Sequence, residues 1–226
     1  MSYHGKMMFR AVMNLDAVDA GTCPPAGTSV SYQGEEKGKL FAFRETAKGI
    51  LTVTAMALFD QPDLISSSAE DRKERLQKIF EGYPSDVKHV IEQMPPSSLY
   101  ENAIHDIAVE EEWSKGPVVL IGDAAHAMTP GMGQGANQGL EDACELATVL
   151  ARALHDENDA NLSSVLEGFW KSRIDRVREI HAASRARTQS INQSSSTNKK
   201  AVYADATDPS TFLDRLYQWK PTNMVV

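Results

Sequence analysis

Cysteine is nearly absent: Cys23 and Cys144 are the only two in 226 residues. Two cysteines make neither a disulfide framework nor a metal-binding pattern. Cys144 is expected to be a small packing residue. No apolar run approaches the roughly 18 residues that a membrane span needs. The start, Met1-Ser-Tyr-His-Gly-Lys6, has no apolar signal core. An integral membrane segment is therefore not expected. Basic residues are in the minority, 23 Lys and Arg against 31 Asp and Glu, for a formal net charge of −8. That balance argues against a general nucleic-acid binder. His4, His89, His105, His155 and His181 form no ligand cluster, so no metal site is expected. No Ser-His-Asp or Cys-His arrangement is legible, and there is no internal repeat. What remains is a composition ordinary for a soluble globular chain, 42% hydrophobic and 24% charged. The expected setting is reducing and intracellular, either the cytoplasm or the lumen or stroma of an organelle.

One stretch organises the rest. From Pro117 to Leu150 the chain reads as strand, acidic turn, glycine-rich loop and helix. Val118 to Ile121 is a short apolar run of the kind that lies buried on both faces in a parallel sheet. Gly122-Asp123 ends it. Pro130 to Gly135 holds three glycines and a proline, so irregular backbone open to close approach is expected. Leu140, Ala143, Ala147, Leu150 and Leu154 then recur at helical spacing. The first N–H groups of such a helix lack intrahelical partners and, with the helix dipole, favour negative charge. Asp123 stands where it can accept hydrogen bonds from sugar-like hydroxyls. A ligand with a polyol and an electron-accepting ring uses both features. On these grounds alone, an ordinary strand–turn–helix unit whose glycines only make the turn is an equal alternative.

The same residues carry a resemblance. Gly122-Asp-Ala-Ala-His126, Pro130, Gly133-Gln134-Gly135, Asn137 and Asp142-Ala143 match, in order and spacing, a motif of the single-component FAD-dependent monooxygenases. That is the family of para-hydroxybenzoate hydroxylase, and the chain is similar to its salicylate hydroxylase and zeaxanthin epoxidase branches. The resemblance implies FAD as cofactor and NADPH or NADH as transient reductant. It implies a small-molecule substrate, aromatic or alkene, that receives one oxygen atom from O2. It places Asp123 on the ribityl chain and Pro130 against the isoalloxazine ring. Gly122 belongs to the turn before Asp123, and Gly133, Gln134, Gly135, Ala136 and Asn137 lie around the pyrimidine edge. Negative charge collects there on the reduced flavin, so the family's chemistry and the helix argument agree. Arg10 resembles an arginine that some branches place beside flavin and substrate; a surface arginine at a strand end is the equal alternative. His126 is expected to position backbone rather than act as a base.

Taken in order, Met7 to Leu15 reads as a strand and Asp16 to Gly34 as a long loop. Leu40–Arg44 and Ile50–Phe59 suggest an antiparallel hairpin. Both of its faces are apolar, as expected if one packs on helices and the other lines a cavity. Phe41, Phe43 and Met56 are candidates for that lining, with core packing the stronger expectation for each. Ser67 to Glu70 resembles a capping box before a helix carrying Leu76, Ile79 and Phe80. Val87, Val90, Ile91 and Met94 mark a second helix, and Leu99 to Ile107 is extended. Leu162, Leu166, Phe169, Arg173, Val177 and Ile180 mark a long helix whose basic face is expected in solvent. Gln189 to Lys200 is expected to be mobile. The aromatics between Phe212 and Trp219 should dock on the body.

The expected fold class is α/β with α+β character. It combines the C-terminal part of an FAD-binding Rossmann-like domain with a mixed β-sheet substrate domain. The assignment by residue is 1–112 to the substrate domain, 113–155 to the FAD motif and 156–226 to a C-terminal helix and tail. Family members normally begin with a GxGxxG strand–turn–helix for the ADP half of FAD. That dinucleotide-binding unit is lacking here, and so is the family's Asp-Gly motif. Three explanations stand open: a truncated form of a longer gene, one half of a split enzyme, or a remnant reused for binding. The enzyme reading is a C-terminal fragment, inactive alone and completed by an N-terminal half in trans. The alternative is a non-catalytic flavin-fold remnant or a partner-dependent subunit.

Overall fold

The computed structural model describes residues 1–18, 24, 28–33, 38–61, 66–155, 161–190, 199–204 and 219–221. Strands β1 (Ser2–Asn14), β2 (Thr28–Gln33), β3 (Leu40–Ala47) and β4 (Ile50–Leu58) come first. Helices α1 (Ala69–Ile79) and α2 (Ser85–Gln93) precede β5 (Leu99–Asp106). Then come β6 (Ser114–Lys115), β7 (Val118–Val119), the single turn α3 (Asp123–His126) and the long helices α4 (Gly135–His155) and α5 (Leu162–Ser190). Strand β8 (Lys199–Ala204) follows. The mixed α/β class expected from the sequence is the one observed. The chain forms two compact units. One comprises residues 3–104 and 190–207; the other comprises 1–2, 105–189 and 208–226.

The first unit is a six-stranded sheet in the order β5-β1-β4-β3-β2-β8. The pairs β1–β4, β3–β4, β2–β3 and β2–β8 are antiparallel. Alternation sends Met7, Phe9, Ala11 and Met13 to one face, beside Leu51, Val53 and Ala55 of β4 and Phe41 and Phe43 of β3. Leu76, Phe80, Val87, Val90 and Ile91 from α1 and α2 close the same core. Phe41 and Phe43 are thus core residues. Met56 belongs to a small cluster with Met8, Ile104 and Leu40. Arg10 lies on β1 opposite Thr54 and is exposed, as is Val12.

Three expectations for this unit change. The stretch from Asp16 to Gly34 is not all loop, because Thr28–Gln33 pairs with both β3 and β8. Its signal was the buried Val30 and Tyr32 at a two-residue spacing. The Tyr32 hydroxyl also donates to the Asp86 carboxylate at the start of α2, which ties the strand down. Burial, then this bond and the carboxylate's charge, raise the Tyr32 phenol above its ordinary pKa. Lys199 and Lys200, placed in a mobile segment from sequence, begin β8; residues 191–198 lie outside the described residues. The α1 cap is Ser68, whose side chain accepts from the Asp71 N–H at 3.0 Å, one residue later than expected.

The second unit has its core around Trp113, Ala125, Phe169, Ile174 and Val177. Here the apolar run Val118–Ile121 is not a strand buried on both faces. Among the described residues its first two residues pair only with Ser114 and Lys115, and Val118 is 62% exposed. Leu120 and Ile121 are exposed as well. Helix α4 has the opposite orientation to that expected. Gln138, Glu141, Asp142 and Glu145 are buried, while Leu140 is 66% exposed and Ala143, Cys144, Ala147 and Leu154 face outward. Cys144 is therefore not a packing residue. The basic face of α5 is only partly in solvent. Arg173 is 1% exposed, because the carboxylates on the inner face of α4 give it partners. Of the aromatic tail only Trp219 is described; the Arg173 guanidinium lies 5.3 Å from its ring centroid.

Candidate functional site

The site grows from Gly122. Its φ of +58° and ψ of −138° belong to a region that favours glycine. A Cβ there would come within 3.7 Å of the Gly139 Cα, so the turn and α4 meet glycine to glycine. The Gly122 carbonyl accepts the N–H groups of Ala125 and His126, both at 3.0 Å, which closes the turn α3. Asp123, its first residue, is exposed, and His126, its last, is buried.

Beneath the turn lies a buried polar cluster. The His126 Nε2 is 2.6 Å from Asp142 Oδ2, and the same oxygen accepts the Gly122 N–H at 2.9 Å. Arg173 donates from Nε to Asp142 Oδ1 at 2.9 Å and from its terminal nitrogens to Glu141 and Gln138. Arg176 adds two more bonds to Glu141, each 2.7 Å. Trp113 packs 5.1 Å from the His126 ring, centroid to centroid. Burial pushes the Asp142 carboxyl up. Bonds from His126, the Gly122 N–H and Arg173 together outweigh it and hold the group below the usual carboxylate value. Asp142 is thus a buried anion, and His126 donates to it from Nε2.

The glycine loop follows. Pro130–Met132 forms a 3-10 turn closed by the Gly133 N–H on the Pro130 carbonyl at 3.0 Å. Gly133 has φ +63° and ψ +26°, and nothing stands within 4 Å of where its Cβ would be. Pro130, Gly133, Ala136 and Asn137 are exposed. Gln134 is buried, and its Oε1 accepts from Asn137 Nδ2 at 3.3 Å. The first intrahelical bond of α4 is from the Gln138 N–H to the Gln134 carbonyl, so the N–H groups of 135–137 precede it. A Cβ on Gly135 would lie 3.9 Å from Asp123 Oδ1. The Asp123 carboxylate and the start of α4 are therefore neighbours. Arg10 belongs to the other compact unit.

The structure adds Gln138, Glu141 and Glu145 to the motif residue Asp142. The four sit at i, i+3, i+4 and i+7, the spacing of a buried stripe. Arg173 and Arg176 are spaced to meet them. That polar stripe is the signal in the sequence, and an apolar stripe of the same period runs beside it.

A family profile described as an FAD binding domain matches residues 29–184. The chain belongs to this FAD binding domain family. Aurachin C monooxygenase/isomerase of Stigmatella aurantiaca is 41% identical over 113 residues, which are 50% of this chain and 28% of that one. Chloroplastic zeaxanthin epoxidase of Prunus armeniaca is 35% identical over 122 residues, 52% of this chain and 18% of that one. The fold of this FAD binding domain chain matches the solved structure of Klebsiella pneumoniae HpxO complexed with FAD and uric acid. The TM-score is 0.67 at 23% identity, covering 84% of this chain and 45% of that one. The chain thus spans less than a third of the length of these two curated relatives and under half of the solved chain.

The residues present fit the ribityl and ring half of FAD. An exposed carboxylate for polyol hydroxyls, open backbone at Gly133 and a 21-residue helix starting beside them stand together. No helix among the described residues is long and apolar enough to cross a membrane.

Proposed function

We propose that this chain supplies the ribityl- and ring-facing part of the FAD site of a monooxygenase. In this reading the enzyme is reduced by NADPH or NADH and transfers one oxygen atom from O2 to an aromatic or alkene small molecule. Bound FAD would supply the redox and oxygen-activating chemistry. The chain's own residues bind and orient. Asp123 accepts hydrogen bonds from the ribityl hydroxyls. Pro130 and Gly133 offer a close, water-excluding surface to the ring. Gly122 sets the turn before Asp123. The N–H groups at Gly135, Ala136 and Asn137 face developing negative charge, with Gln134 holding the helix start from inside. Arg10 is the proposed cation toward flavin and substrate. Residues 1–112 serve the substrate, 113–155 the flavin, and 156–226 support the motif. The compartment is intracellular, cytoplasmic or organellar.

The observation that carries this reading is the exposed Asp123 carboxylate beside the first residue of α4. FAD titration followed by fluorescence tests it. Asp123→Ala should weaken binding about tenfold or more, the worth of a charge-assisted hydrogen bond. Equal affinity in the variant would remove the basis of the proposal.

A second reading is favoured by the outward apolar residues at Val118, Leu120, Ile121 and Leu140. It makes the chain a partner-dependent subunit, completed by a strand–helix segment that carries the ADP half of the site. A segment with a GxGxxG turn, added in trans, should then raise FAD uptake by this chain.

A further inference from the structure

Helix α5 grips the glycine loop. Ser184 Oγ donates to the Thr129 carbonyl at 2.5 Å and accepts the Met132 N–H at 3.2 Å. A hydroxyl has one hydrogen to give and lone pairs to spare, so both bonds form at once. Thr188 Oγ1 donates to Thr129 Oγ1 at 3.0 Å, and that hydroxyl lies 3.5 Å from Ser184 Oγ. Thr129, Ser184 and Thr188 are all buried. Gly131 completes the contact. A Cβ there would collide with the Ser184 carbonyl and stand 2.6 Å from Thr188 Oγ1. Thr129 and Met132 bracket Pro130 and Gly131, so one side chain holds both ends of the 3-10 turn.

Helix packing alone does not call for this hydroxyl. Alanine is the better helix former, and mid-helix serines commonly bond back to their own helix. Here the single hydroxyl hydrogen goes to Thr129 instead. We propose that Ser184 is a positioning residue for the cofactor-facing loop: its hydroxyl fixes the turn against α5 and sets where Pro130 and Gly133 stand for the flavin ring. This rests on the reading that Pro130 to Asn137 face FAD. Ser184 touches no cofactor atom itself and acts through the loop.

The test uses the 226-residue chain with Ser184→Ala, and Thr188→Val as a shape-preserving companion. Hydrogen exchange at the Met132 amide should speed up roughly tenfold in Ser184→Ala, the loss of about one hydrogen bond. Amides near Val177 in the α5 core should exchange as before. Thr188→Val, which leaves the Met132 acceptor in place, should change the Met132 amide far less. FAD titrated to millimolar concentration should bind about 5- to 30-fold more weakly to Ser184→Ala. The visible band of the flavin that does bind should move toward that of free FAD. Unchanged Met132 exchange overturns the proposal. So does unchanged FAD affinity where the unaltered chain binds. If the unaltered chain takes up no FAD either alone or with a GxGxxG segment added in trans, the proposed function falls and the flavin role of Ser184 with it. The amide exchange still reports whether the hydroxyl holds the turn.

Discussion

His126 Nε2 and Asp142 Oδ2 stand 2.6 Å apart with both side chains fully buried, and the backbone of Gly122 shares that oxygen. One carboxylate on α4 thus fixes both ends of the turn that presents Asp123. Asp142→Ala would leave the Arg173 Nε, the His126 Nε2 and the Gly122 N–H without an acceptor, at a cost of about 3–5 kcal/mol. Asp142→Asn should also destabilise, because its NH2 would face a donor. The pH dependence follows from the lowered carboxyl. The native state holds the ionised form more tightly than the unfolded chain, whose carboxyl titrates near pH ~3.9. The stabilisation is therefore complete above that value and is lost as pH falls below about 4 toward the native value. Urea midpoints of the unaltered chain should drop over that range, and those of Asp142→Ala should drop less.

The glycines of the loop should separate by role. Gly131→Ala meets backbone and side chain of α5, so it should lower the unfolding midpoint and loosen the loop together. Gly133→Ala meets nothing but must hold φ +63°, a strain of about 1–2 kcal/mol. Gly135→Val should do something different. Its Cβ would touch Met128 and Asp123 only at ordinary contact distances of 3.8 and 3.9 Å. The fold should persist, at the modest cost of a branched residue in the first helical turn. FAD binding should suffer, because the side chain would occupy space beside the Asp123 carboxylate. Thermal unfolding and FAD titration on the same three variants check the separation. A Gly135→Val chain with normal FAD affinity would misplace the loop.

The sheet, the two short helices and the motif helix were legible because each carries its own period. Phe41 and Phe43 announce a strand; Val87, Val90 and Ile91 announce a helix. The order of the motif residues was enough to name the family. Strand β2 was missed because Val30 and Tyr32 are the only strongly apolar residues in it, and glycines flank them. The orientation of α4 was missed for a deeper reason. Its leucines and alanines have the period of a core stripe, and so do Gln138, Glu141, Asp142 and Glu145. Only the arginines of α5, some 31 to 35 residues further on, decide which stripe is buried. Ser184 left no local signal, since its partners Thr129 and Met132 are more than 50 residues away.

Lys6 offers a test in the sheet unit. It is fully buried on β1, and burial lowers its pKa to about 8. Unfolded lysine titrates near ~10.4. Between these values the unfolded chain binds more protons, so this residue makes stability rise as pH increases from about 8 to about 10.4. Below pH 8 the charged form carries its full burial penalty. Lys6→Met keeps the chain length and removes the charge. It should flatten the change in unfolding midpoint across that window and raise the midpoint most below pH 8, where the burial penalty is removed. An identical slope in both proteins would contradict this.

The outward apolar face should control association. Val118, Leu120 and Ile121 lead into Gly122, which meets Gly139 of α4, so Leu140 continues the same surface. Ala143, Ala147 and Leu154 extend it along the helix. Apolar area left in water costs roughly 25 cal/mol per Å², and β7 adds a short strand with an open edge. Contiguous patches of this kind mark binding surfaces or cause aggregation. The net charge of −8 opposes self-association at low salt and is screened at high salt. The chain should therefore sediment as larger species as salt rises. Leu140→Lys with Val118→Lys should shift it toward monomer without lowering its unfolding midpoint, because neither side chain is buried. Under the partner-dependent reading, the same double variant should also lose the gain in FAD uptake on adding a GxGxxG segment in trans. Sedimentation unchanged by the two lysines would show that this face is not where the chain associates. Retained uptake would show that the segment binds elsewhere.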